Sequence, residues 1–92
     1  MFEVPYTKMV CDSDYGDGGV YFYTDYLEWI NRGTSKGFKI YFKDITDVKI
    51  LYGGKHKVIV SLATGGVRNL YLYKADTLKL LIHQAIQRIN GH

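Results

Sequence analysis

Ninety-two residues, 47% apolar or aromatic and 23% charged, suffice for one hydrophobic core but not two, and this balance excludes a disordered chain. Twelve basic residues against nine acidic give a net charge of +3, which permits contact with phosphates or an anionic membrane without requiring it. One cysteine, Cys11, rules out an internal disulfide and a cysteine-based metal site, and no apolar run approaches the roughly 20 residues of a membrane-crossing helix.

The opening residues Met1 to Tyr6 lack a basic region followed by an apolar run, so no secretory leader is expected and a cytoplasmic location is the reading. A first strand is expected over residues 3–11, broken by the acidic segment Asp12 to Gly19. In Val20-Tyr21-Phe22-Tyr23, Val20 and Phe22 share one face. The turn Thr24-Asp25 leads to a strand at 26–31, which contains Leu27 and Trp29. After the breaker from Asn31 to Gly37, Phe38, Ile40 and Phe42 share one face, and Lys39, Tyr41 and Lys43 the other. A strand at 46–52 carries Val48 and Ile50, and Gly53-Gly54 marks a tight hairpin because glycine supplies positive φ. Val58, Val60 and Leu62 then alternate with Lys57, Ile59 and Ser61. Beyond the turn Thr64-Gly65-Gly66, Leu70 and Leu72 alternate with Tyr71 and Tyr73. Such alternation marks strands with one buried face.

The period then changes. Leu78, Leu81, Ile82, Ala85, Ile86 and Ile89 recur at helical spacing, with Lys79, His83, Gln84, Gln87 and Arg88 on the opposite face. Asp76 or Thr77 is the expected N-cap, and Gly91 the expected left-handed end. The chain therefore reads as a single mainly β domain over residues 1–92, on the border of all-β and α+β. About seven antiparallel strands lie within 3–73, and a helix follows at about 75–90.

Three segments resemble known domains. Gly19 to Ile30 is similar to the "G-x-L-y-L-T-d-x-R-L-x-F" hairpin of GRAM and bacterial pleckstrin-homology-like (PH-like) domains. Phe42 to Ile50 resembles their "i-p-y-x-d-I-x-x-V-x-i" segment, and Leu70 to Asp76 their last strand and helix entry. The resemblance implies a PH-like barrel of antiparallel strands capped by one C-terminal α-helix. It also implies either assembly through strand edges and faces or membrane and phosphoinositide binding. Tyr26 stands where the family often has a base, and the first loop carries Asp12, Asp14 and Asp17 instead of bases, which would repel an inositol phosphate.

No catalytic residue, metal ligand or cofactor is expected. The Asp12/Asp14/Asp17 segment starts like a calcium loop but lacks the glutamate at the twelfth position and the flanking helices, so it reads as an exposed acidic loop. Gly53 to Lys57 reads as a basic hairpin tip, because a phosphate-binding loop needs a longer spacing between strand and helix. His56, His83 and His92 lack metal-ligand spacing, and Cys11 reads as a small packed or half-exposed thiol. The candidate interaction face is Tyr21, Tyr23, Lys39, Tyr41, Lys43, Tyr71 and Tyr73, a mixture of rings and bases on the outward strand positions.

The function expected is a non-enzymatic binding or assembly module whose partner is another protein or a second copy. One alternative is an anionic-lipid or phosphoinositide binder using Arg32, Lys36, Lys55, Lys57 and Arg68. On a PH-like barrel the Arg32/Lys36 and Arg68 loops would share an end with the acidic loop, and Lys55 and Lys57 would lie at the other. A second alternative is single-stranded nucleic acid stacked on the Tyr/Lys face.

Overall fold

The computed structural model describes residues 4–91. Strands β1 (Thr7–Val10), β2 (Asp12–Ser13), β3 (Gly18–Phe22), β4 (Tyr26–Asn31) and β5 (Gly37–Tyr41) lead into a 3-10 turn at Phe42–Asp44. Strands β6 (Ile45–Leu51), β7 (His56–Leu62) and β8 (Val67–Leu72) follow, and helix α1 (Ala75–Asn90) ends the fold. All pairings are antiparallel. The first sheet has the order β1-β3-β4-β5 and the second β2-β8-β7-β6.

This is a mainly β fold, but its two four-stranded sheets do not close into the expected barrel. The chain joins the two sheets at Cys11, and their other ends, β5 and β6, do not pair. The expected strand at 3–11 (residue 3 lies outside the described residues) ends just before Cys11 as β1, and Asp12-Ser13, expected to begin a breaker, form a further strand in the other sheet. Cys11 N–H still donates to the Gly18 carbonyl at 3.0 Å, as a first-sheet residue would. The next residue, Asp12, stands opposite Tyr71 in the second sheet. The change of sheet leaves β1 paired with β3 alone.

The period-two pattern delivers the core. Val20, Phe22, Leu27, Trp29 and Ile40 from the first sheet meet Val48, Val58, Val60, Leu70 and Leu72 from the second in one buried cluster. Phe42, expected in a strand, is in the 3-10 turn yet remains buried, its ring stacked on Phe22 with centroids 6.1 Å apart. Helix α1 buries Ala75, Leu78, Ile82 and Ala85, half-buries Leu81, Ile86 and Ile89, and lies against the 3-10 turn, β6 and β7. Each large side chain so covered contributes about 1.5–3 kcal/mol.

Both helix ends differ from expectation. Lys74 holds the N-cap position and makes no side-chain cap bond, whereas Asp76 lies in the first turn. There its charge still suits the positive end of the helix dipole, and it accepts the Tyr52 hydroxyl at 2.6 Å. Gly91 has φ −87°, so its backbone is not left-handed. Space selects glycine here, since a Cβ would stand 2.7 Å from the Gln87 carbonyl oxygen. The Gly53-Gly54 turn is as expected, with φ 146° and 55°.

Candidate protein-interaction surface

Because both sheets turn their apolar faces into one core, their outer faces point away from each other. The candidate face therefore divides in two. Tyr21, Lys39 and Tyr41 lie on the first sheet, with Tyr23 just beyond β3 and Lys43 exposed in the 3-10 turn. Tyr71 and Tyr73 belong to the second sheet and the residue after it.

Antiparallel register lays out the first-sheet face. Lys8, Tyr21, Glu28 and Lys39 stand opposite one another in a row across β1, β3, β4 and β5. Such directly opposed side chains interact across strands. Tyr26 and Tyr41 form the next pair, their ring centroids 5.3 Å apart. Tyr23 stacks on Tyr26 at 4.8 Å and an interplanar angle of 22°, making a continuous run of three rings. The Lys39 ammonium lies 4.7 Å from the centre of the Tyr26 ring, within cation–π range. Tyr26 is thus the centre of the cluster, although the sequence reading left it out of the face. The alternation that sends Leu27 and Trp29 inward also sends Tyr26 and Glu28 outward, so the signal was present.

On the second sheet, the Tyr71 hydroxyl donates to Asp14 at 2.6 Å, and the Asn69 amide donates to the other carboxylate oxygen at 2.9 Å. The Tyr71 and Asn69 bonds hold the Asp14 carboxyl below its ordinary range, and the same Asp14 bond raises the Tyr71 phenol. Tyr71 is committed to this network. Tyr73 is well exposed, with the Lys55 ammonium 5.5 Å from its ring centre.

The basic residues are dispersed. Lys36 and Arg68 line a groove of about 340 Å³ with Tyr15, Asn31 and Phe38, so they do share an end with the acidic segment. The Arg68 guanidinium is stacked 4.5 Å from the Phe38 ring centre. Arg32 lines a different hollow of about 460 Å³, beside Lys8, Gly19 and Tyr21. Lys57 stands opposite Tyr71. Lys55 precedes β7 at the end of the second sheet opposite the Arg68 turn, where its ammonium forms an ion pair with Asp12. Asp12 is a strand residue opposite Tyr71 and not part of the loop.

The three aspartates do not converge. Asp12 goes to Lys55 and Asp14 to Tyr71 and Asn69, whereas the Asp17 carbonyl accepts the Arg32 N–H at 2.9 Å. Among the described residues, no group of three or more acidic, histidine or cysteine side chains is placed to hold a metal ion. His56 accepts the Gly53 N–H at 3.2 Å through Nδ1, His83 is exposed on α1, and His92 lies outside the described residues. Cys11 is 1% exposed, and burial, followed by the neighbouring Asp12 charge, pushes its thiol up to about 12. At neutral pH it is protonated and packed, which is not the state of a nucleophile. No helix among the described residues is long and apolar enough to cross a membrane.

No family model matches the chain. No curated protein matches it. Among solved structures it is similar to the C-terminal domain of an unknown protein from Leishmania infantum. The TM-score is 0.75 at 16% identity, covering 91% of this chain and 85% of that one. At that identity the likeness concerns the fold alone.

Proposed function

We propose that this chain is a non-enzymatic binding module that works through protein–protein contacts, self-association included, on the outer face of its first sheet. We further assign it the PH-like variety of its fold. The three similar sequence segments and the order of seven expected strands before one helix support that assignment.

The observation that carries the functional reading is the run Tyr23–Tyr26–Tyr41 on the outer face, with Lys39 over its middle ring. Rings already held against one another lose little conformational freedom when a partner covers them, so their contact area is retained as affinity. Beside the run, Lys8, Glu28 and Lys39 supply charges of both signs to fix orientation. The dispersal of Arg32, Lys36, Lys55, Lys57 and Arg68 puts a protein partner ahead of an anionic lipid or a nucleic acid, each of which favours bases gathered on one surface.

Light scattering over a wide concentration range tests the self-association form. The mass is expected to rise with concentration, and a Tyr26→Ser, Tyr41→Ser variant of unchanged thermal stability is expected to stay monomeric. A wild-type chain that remains strictly monomeric at high concentration removes self-association. A variant that associates as the wild type does removes this face.

A further inference from the structure

The change of sheet at Cys11 leaves a second feature, which shares Lys8 with the tyrosine face and none of its rings. Strand β1 is an edge. In its antiparallel ladder the Cys11 N–H is bonded to Gly18, and bonding alternates along the strand. Thr7 and Met9, in step with Cys11, therefore turn their backbone groups to β3, and Lys8 and Val10 turn theirs outward. Between that edge and the end of β8 with the start of α1 lies a groove of about 670 Å³. Its apolar lining includes Met9, Val10, Leu72 and Leu81. Val10 is 75% exposed.

Charge selects the occupant. Lys8 and Lys74 both line the groove and have no carboxylate partner among the described residues. The one acidic side chain in the lining, Asp12, is already paired with Lys55. A second copy of β1 would place another Lys8 against this edge, and like charges across a strand pair are destabilising.

We propose that β1 takes an extended acidic segment of a partner protein as an added strand. Lys8 and Val10 would supply the main-chain hydrogen bonds, and alternate apolar side chains of the segment would enter the groove. Its outward carboxylates would meet Lys8, and Lys74 would meet a carboxylate at the groove's rim.

The test uses the full chain, ¹⁵N-labelled, and an end-blocked peptide alternating valine and glutamate. Binding is expected to shift the Lys8 and Val10 amide resonances and to slow exchange of both amide protons. A valine–lysine peptide is expected to leave them unchanged. Val10→Pro removes an outward N–H that no internal bond uses, so it is expected to fold normally and lose the peptide. Lys8→Glu is expected to weaken binding by roughly fivefold. Unmoved Lys8 and Val10 amides, equal binding of the lysine peptide, or full binding by a folded Val10→Pro chain would each overturn the proposal. Tyr26→Ser, Tyr41→Ser should bind the peptide as the wild type does, so failure here and failure of the tyrosine face are separately visible.

Discussion

The Trp29 indole N–H donates to the Cys11 carbonyl at 2.8 Å, inside the core. This bond anchors β4 to the residue at which the chain leaves one sheet for the other. It also satisfies a buried carbonyl that would otherwise be desolvated without a partner. The ring itself stacks on Phe38 with centroids 5.5 Å apart. Trp29→Phe keeps an aromatic body and removes the donor. It is expected to cost about 1–3 kcal/mol, read as a lower urea midpoint at unchanged slope by circular dichroism. Sequence marked Trp29 as a strand residue. It could not reveal the bond, whose partners are 18 residues apart and meet only in the folded sheet.

At the scale of elements, β4 and β5 approach so closely that glycine is obligatory at Gly37. A Cβ there would overlap the Trp29 carbonyl oxygen. Gly37→Ala must displace β5 or bend β4, at an expected cost of roughly 1–3 kcal/mol. Gly66→Ala is the control, because a Cβ at that turn meets nothing within 4 Å and φ is not positive. It is expected to be neutral or slightly stabilising through the unfolded chain. Thermal melts of the two variants check the contrast. In the sequence both residues look like ordinary loop breakers, since composition says where a chain turns and not what lies beside the turn. The helix was far more legible. Its apolar spacing at Leu78, Ile82 and Ala85 placed it correctly, because a helical face is written within one continuous segment.

For the whole molecule, both sheets and α1 contribute to a single buried cluster. Neither sheet retains a core without the other, so unfolding is expected to be one cooperative step. Urea curves followed by far-ultraviolet circular dichroism and by Trp29 fluorescence should coincide. Separate transitions would show that the sheets unfold independently. By itself the sequence determined which strand residues face inward, that the chain is mainly β, and that one amphipathic helix closes it. Those properties are periodicities of single segments, set by the geometry of the backbone. Tertiary structure alone decided that the chain changes sheet at Cys11 and pairs again at Asp12-Ser13, that Tyr71 faces away from Tyr21, and that Lys55 pairs with an aspartate 43 residues earlier. These depend on which distant segments share hydrogen bonds, and no local pattern records that choice. Both candidate surfaces follow from it. The tyrosine run is assembled by the pairing of β3, β4 and β5, and the acidic-peptide groove is left open because β1 and β8 do not pair.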